Sequence, residues 1–148
     1  MPELAAFLAI LFTALALIPG GAHLLELANK MRLDQRDYFV AQSLYRGWQF
    51  VGFLVIGALA TNSWAAWLHR SDSAFMWFAS ATALISASLV VFFGWTFPIN
   101  RKTRMWTEQP DDWRTLRLKW EASHAVNAAL TLLALCCATA AAIAPEAA

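Results

Sequence analysis

The chain has 148 residues, of which 59% are hydrophobic and only 14% are charged, and its mean hydropathy is +0.48. Soluble domains are usually about 45–50% apolar, so this composition excludes an ordinary soluble domain and makes the lipid bilayer the expected partner. The formal net charge of +1 supplies no basic surface for nucleic acid, and we expect no nucleic-acid partner.

Four segments of the chain contain no Asp, Glu, Lys, Arg or His. They are residues 4–22, 47–68, 73–100 and 125–145. Each exceeds the roughly 18 apolar residues that a membrane-spanning helix needs. The sequence therefore predicts one all-α domain, an integral membrane antiparallel four-helix bundle over residues 1–148. Its spans are expected at about 4–28, 38–67, 73–97 and 112–143, with long connections at about 29–37 and 98–111.

Proline and acidic residues predict how these spans begin and end. Pro19 and the two glycines after it are expected to kink or loosen the first span. The second span is expected to begin with Asp37 in its first turn. The third is expected to end at about Phe97, because Pro98 follows it. The acidic pair after Pro110 predicts the start of a fourth helix that continues into the membrane.

The basic residues predict the orientation of the bundle. Ten of the 11 Lys and Arg residues lie around the first and third connections, and only Arg70 lies at the second. Because Lys and Arg are enriched in cytoplasmic loops, the first and third connections are expected in the cytoplasm and both termini outside it. The expected location is the cell inner membrane. Lys30 and the cations of the third connection are interpreted as ordinary cytoplasmic charges.

Polar side chains at membrane depth are costly, so those that border the apolar segments are candidate functional residues. They recur at helical spacing on three spans and lie toward the expected cytoplasmic ends, which predicts one shared site. The candidates are His23, Glu26, Gln42, Arg46, Gln49, Trp95, Asn100, Arg117, Trp120, Glu121, His124 and Asn127. Among them, Trp95 and Trp120 are expected to wall the pocket.

Two other interpretations of these residues stay open. In a purely structural one, Glu26 pairs with Arg46 across helices and Arg117 pairs with Glu121 within one helix. In the other, the sequence pairs His23/Glu26 and Glu121/His124 face each other and hold a transition metal, or the two histidines hold a haem. A di-iron site is not expected, because two of the usual carboxylates are missing.

One stretch of the sequence resembles a known family. Pro98-Ile99-Asn100 after the third span, then Trp113, Leu116, Arg117, Trp120, Glu121 and His124, together with Pro19-Gly20-Gly21, resemble the anthrone oxygenase-like family of small four-span membrane proteins. Members of that family include cofactor-independent oxygenases that oxidise the activated methylene of polycyclic anthrones with O₂. The resemblance implies a monooxygenase without a cofactor, with Asn100, Trp120 and His124 at the site and His124 as the base.

The chemistry of the candidate residues is compatible with that activity. A histidine near its ordinary pKa of about 6.5 can remove a proton from an acidic carbon, and Asn or Gln can bind the enolate oxygen that forms. We therefore expect His124, His23 and Asn100 to be catalytic and the other candidates to bind a small lipophilic molecule. The alternative is a scaffold or small-solute carrier that holds an anionic head group with its arginines. A homo-oligomer also remains open.

Overall fold

The computed structural model describes residues 1–144 as a helical bundle. Its helices are α1 (Pro2–Lys30), α2 (Gln35–Gln42), α3 (Gly52–Leu68), α4 (Ala74–Val91), α5 (Phe97–Lys102) and α6 (Trp113–Ile143). Residues 145–148 lie outside the described residues. The predicted domain, the last apolar segment and the expected external C-terminus extend into them.

Helices α1, α3, α4 and α6 form an antiparallel ring in which α1 and α4 each pack against both α3 and α6. Alanines fill much of the core, among them Ala9, Ala58 and Ala134, which are 0% exposed. Small side chains let helix backbones approach closely where lipid gives no hydrophobic drive for association. Four helical segments are long and apolar enough to cross a membrane. The predicted all-α four-helix bundle is thus confirmed.

The second span differs from the continuous helix expected over residues 38–67. Helix α2 ends at Gln42, and two short 3₁₀ turns, Ser43–Tyr45 and Trp48–Val51, precede α3. Between these turns Gly47 has a φ of +89°, a backbone conformation that glycine adopts without the steric cost of a β-carbon. The helix therefore breaks at Gly47, and the apolar spanning segment begins only at Trp48.

The third span runs past the proline that was expected to end it. A π-helical turn, Phe92–Thr96, joins α4 to α5, and Pro98 lies in the first turn of α5. Pro98 has no N–H group, and the π-helical turn directly before it already interrupts the α-helical hydrogen-bond pattern, so the proline fits without ending the helix. The helical segment consequently continues to Lys102. In the first span, α1 likewise passes through Pro19 and ends at Lys30.

The connection after α5 contains three consecutive left-handed residues. Arg104, Met105 and Trp106 have φ values of 43°, 57° and 61°, a conformation that costs roughly 1–2 kcal/mol per residue without glycine. Backbone hydrogen bonds hold the turn, since the Met105 amide donates to the Asn100 carbonyl over 2.7 Å and the Trp106 amide donates to Thr103 Oγ1 over 3.1 Å. The turn buries the Trp106 side chain against Tyr38 and Trp120.

Substituting Gly57 with Ala tests the packing of α1 on α3. A β-carbon at Gly57 would lie 2.5 Å from Cδ1 of Phe12, so the ring must move, and overpacking of this kind costs roughly 1–3 kcal/mol. Gly21→Ala is the matched control, because nothing lies within 4 Å of a β-carbon there and alanine favours the helix. Unfolding in mixed micelles is expected to show loss of stability for Gly57→Ala alone. Equal stabilities of the two variants would contradict the packing.

Candidate functional site

A cavity of about 880 Å³ lies between the bundle helices, near the end at which α1 finishes and α6 starts. The unwound segment before α3 forms one wall, so the break at Gly47 opens space that a continuous helix would fill. Eight of the twelve predicted site residues line the cavity: His23, Gln42, Arg46, Gln49, Asn100, Trp120, His124 and Asn127. The remaining wall is mainly apolar. Phe53, Ile56 and Phe93 belong to it and are also exposed on the outer surface of the bundle.

Two histidines from neighbouring helices meet in the wall of this cavity. The imidazole rings of His23, on α1, and His124, on α6, have centroids 4.2 Å apart and planes inclined by 31°. Trp120 packs its ring edge-on against both, at 4.2 Å from His124 and 5.0 Å from His23. Tyr45 covers His23 at a ring distance of 4.4 Å. The contact exists because α1 and α6 pack directly against each other.

The amide of Asn100 is oriented by a tryptophan. Trp120 Nε1 donates a hydrogen bond to Asn100 Oδ1 over 2.7 Å. An indole N–H is a donor only, so the amide oxygen is the atom that accepts. The NH₂ group of Asn100 therefore retains its two hydrogens for another acceptor in the cavity that Asn100 lines.

Lys30 is a central part of the site, contrary to its interpretation as an ordinary cytoplasmic charge. Its side chain is only 5% exposed, and Nζ lies 3.0 Å from Glu121 Oε2 and 2.9 Å from His23 Nδ1. Because an ammonium group has donors and no acceptor, Nδ1 of His23 must accept. A neutral His23 then carries its proton on Nε2 and is a hydrogen-bond donor through that atom.

Two tyrosines bind the carboxylates around Lys30. Tyr38 donates to Glu121 Oε1 over 3.1 Å, and Tyr45 donates to Glu26. Burial raises the pKa of both phenols above the ordinary value of 10.0, and the neighbouring carboxylates raise it further. Both tyrosines therefore stay protonated and keep Glu26 and Glu121 supplied with donors.

Four predicted site residues do not line the cavity. Glu26 and Glu121 contact Lys30, and Lys30 in turn contacts His23 Nδ1. Arg117 donates to the Leu33 carbonyl over 2.8 Å and stacks on Trp113. It therefore links α6 to the connection between α1 and α2. Trp95 is 38% exposed, whereas its neighbour Thr96 is buried and donates a hydrogen bond to Ser123 of α6.

The ion pairs of the structural interpretation are not formed in the described part of the chain. Glu26 lies 3.7 Å from Lys30, its nearest basic partner, instead of pairing with Arg46. Glu121 likewise pairs with Lys30 instead of Arg117. Lys30 is thus the cation that both carboxylates contact, and neither pair of that interpretation is present.

Several buried polar atoms around the cavity have no hydrogen-bond partner within residues 1–144. They are Trp106 Nε1, His124 Nε2 and Asn127 Oδ1. An unsatisfied buried donor or acceptor costs roughly 1–3 kcal/mol. Three such atoms from residues lining one cavity indicate a place where a polar group of a ligand or water completes the hydrogen bonding.

The arrangement of the side chains also bears on how well haem or a metal ion would fit here. A haem held by His23 and His124 does not fit, because the two rings contact each other and leave no space for a macrocycle between them. Over residues 1–144, His23, Glu26, Glu121 and His124 are not grouped as ligands of one metal ion. The Lys30 ammonium already occupies the position between the carboxylates that a cation would take.

Sequence reasoning left several residues out of the candidate site, among them Lys30, Tyr38 and Trp106. Lys30 is one, although its spacing from His23 and Glu26 placed it on the same helix face. Tyr38 lies in α2 and is 0% exposed, but no polar stripe marked it. Trp106 lines the cavity because of the left-handed turn, which the sequence, lacking glycine there, did not indicate.

Comparisons of this chain with protein-family models, curated proteins and solved structures find no match. The resemblance to the anthrone oxygenase-like family thus depends on the sequence residues named for it. Of these, Asn100, Trp120 and His124 lie together at the cavity.

Proposed function

We propose that the protein is an integral membrane oxygenase that binds a small lipophilic, enolisable aromatic compound in the cavity and oxidises it with O₂. The observation that carries the proposal is the contact of His124 with His23 in a mainly apolar cavity. His124 Nε2 has no partner in the described residues. A free imidazole nitrogen beside an apolar binding space is suited to removing a proton from a carbon acid.

The proposed reaction converts an activated methylene into a ketone. Neutral His124 removes one methylene proton, and the resulting carbanion is delocalised as an enolate. Dioxygen then reacts at that carbon, one oxygen atom remains in the ketone, and the other leaves as water with the two methylene hydrogens. The net change is R₂CH₂ + O₂ → R₂C=O + H₂O. O₂ is the oxidant, so the electrons balance without a further reductant.

Two neighbours of His124 support the developing enolate. Asn100 presents its NH₂ group because Trp120 binds the amide oxygen. His23 is a donor through Nε2 because Lys30 occupies Nδ1. Preorganised donors that face developing negative charge lower the barrier without reorganising during the reaction. In this proposal no resident cofactor takes part.

The proposal includes the location and orientation expected from the basic residues. The cavity then opens at the cytoplasmic side of the inner membrane, with both termini outside. Lipophilic phenols and O₂ both dissolve in the bilayer, so substrates reach the cavity without a soluble domain.

Cysteine labelling tests this orientation. In a variant with Cys136 and Cys137 replaced by Ala, Ser71→Cys is expected to react with an impermeant maleimide added outside intact spheroplasts. Thr107→Cys is expected to react only after permeabilisation, because all six Lys and Arg residues of the second half of the chain lie within residues 101–119, in or beside its connection. The reverse pattern would show that the bundle is inserted the other way.

Oxygen uptake tests the activity itself. We expect purified protein in zwitterionic nanodiscs to consume one O₂ per anthrone converted to anthraquinone, at a rate unaffected by a chelator. Empty nanodiscs give the rate of spontaneous oxidation. Turnover that a chelator abolishes would replace the proposal with a metal-dependent one. Binding without turnover across a panel of anthrones, phenols and quinols would favour the carrier.

A further inference from the structure

A second depression adjoins the cavity at the end of the bundle. It is an open groove of about 910 Å³ between α2 and the residues that precede and begin α6. Arg46, Trp106 and Thr107 line both the groove and the cavity. These three residues thus form a shared wall between the cavity and the groove.

The groove carries positive charge that is not neutralised by ion pairs. Arg36, Arg46 and Arg114 line it, and none of them has a carboxylate within salt-bridge distance in residues 1–144. Asp34 also lines the groove, but its Oδ1 accepts the backbone amide of Asp37 and so caps α2. Two basic residues of the neighbouring connection are paired, Lys102 with Asp112 and Arg104 with Glu108.

The shared wall offers a buried hydrogen-bond donor that lacks an acceptor. Trp106 is 5% exposed and its Nε1 has no partner in the described residues. Indole and guanidinium groups donate and do not accept. The left-handed turn holds Trp106 at this position. A ligand group that binds Trp106 Nε1 must therefore be a hydrogen-bond acceptor, and the neighbouring arginines favour a negatively charged acceptor.

The other end of the cavity has the opposite character. Phe53, Ile56 and Phe93 line it and reach the outer surface of the bundle. We propose that the cavity binds a lipophilic aromatic compound that carries a carboxylate or phosphate, and that Arg46 binds this anionic group. The inference rests on the proposed function for the aromatic body of the ligand and adds its anionic group. It assigns Arg46 as a specificity-determining residue.

Binding of a matched pair of probes tests the inference without requiring turnover. The probes are an anthracene carboxylate and its methyl ester, and binding is followed by energy transfer from tryptophan to anthracene in zwitterionic nanodiscs. We expect the carboxylate to bind about tenfold more tightly than the ester. Higher salt should reduce this preference, because it screens the guanidinium charge.

Variants distinguish Arg46 from general positive charge. Arg46→Gln is expected to remove the preference for the carboxylate and to leave binding of the ester within about twofold. The control is Arg101→Gln, which removes an exposed cation of α5 that lines neither depression and should keep the preference. Equal binding of the two probes to the unmodified protein would overturn the inference, as would equal effects of the two variants.

Two further arms separate other sources of the anion. Inorganic phosphate is expected to compete only weakly, because it lacks the aromatic body; phosphate that displaces the carboxylate and the ester equally would overturn the inference. If phosphatidylglycerol displaces both probes, and the carboxylate and the ester bind equally in zwitterionic nanodiscs, the groove binds a lipid head group instead. A preserved carboxylate preference without any oxidation would refute the proposed function and leave this inference standing.

Discussion

Replacement of His124 with Gln is expected to lower the rate of anthrone oxidation about 100- to 10,000-fold, the usual contribution of a general base. Glutamine retains a polar group of similar size but cannot take up the substrate proton. The ring of His124 also contacts Trp120 and His23, so part of the packing is lost. We therefore expect a small loss of stability and a large loss of rate.

The measurement compares kcat with probe binding in the same nanodiscs. Binding of the anthracene ester should change by less than about threefold, since its aromatic body contacts mainly the apolar wall. His69→Gln is the matched control: His69 lies in the turn between α3 and α4, where it pairs with Asp72 over 2.8 Å, and it does not line the cavity. Comparable rates for the two variants would show that His124 is not the base.

Replacement of Lys30 with Met is expected to destabilise the bundle by about 3–5 kcal/mol, the usual effect of removing one partner of a buried ion pair. Glu121 is 1% exposed and would keep only the hydrogen bond from Tyr38. His23 would also lose the donor at Nδ1 that sets its tautomer. Folding and the orientation of His23 therefore depend on the same ammonium group.

A double-variant cycle separates loss of the pair from loss of the side chain. Unfolding in mixed micelles should show that Lys30→Met combined with Glu121→Gln regains most of the lost stability, because no buried uncompensated charge remains and Glu26, the other carboxylate at Lys30, is 48% exposed. Lys119→Met, an exposed change on α6, should alter stability by less than about 0.5 kcal/mol. If the double variant is no more stable than Lys30→Met, the ion pair does not explain the loss.

The four spans and the meeting of His23 with His124 were predictable from local patterns. Apolar segments longer than a bilayer thickness define the helices, and three-, four- and seven-residue spacings place polar side chains on one face of each. Neighbouring helices in an up-and-down bundle then bring these faces together. Eight of the twelve predicted residues line one cavity for this reason.

Features that depend on contacts distant in sequence were not predictable. Lys30 follows the apolar part of α1, where a basic residue usually reaches water, and its burial depends on Glu121 of α6. Hydropathy at Gly47 is compatible with a helix, but the chain turns there because Tyr45 packs on His23 and donates to Glu26. The burial of Trp106 requires three left-handed residues that are not glycine.

In the proposed function, the apolar opening of the cavity also determines how substrate is supplied. Phe53, Ile56 and Phe93 belong to both the cavity wall and the outer surface of the bundle, so in a bilayer the opening meets acyl chains. The concentration that governs occupancy is then the mole fraction of substrate in the membrane. Added lipid dilutes the substrate and slows the reaction, whereas added buffer leaves the rate per protein unchanged for a fully partitioned compound. An apparent KM given in moles per litre of buffer would therefore change with the amount of lipid in the assay.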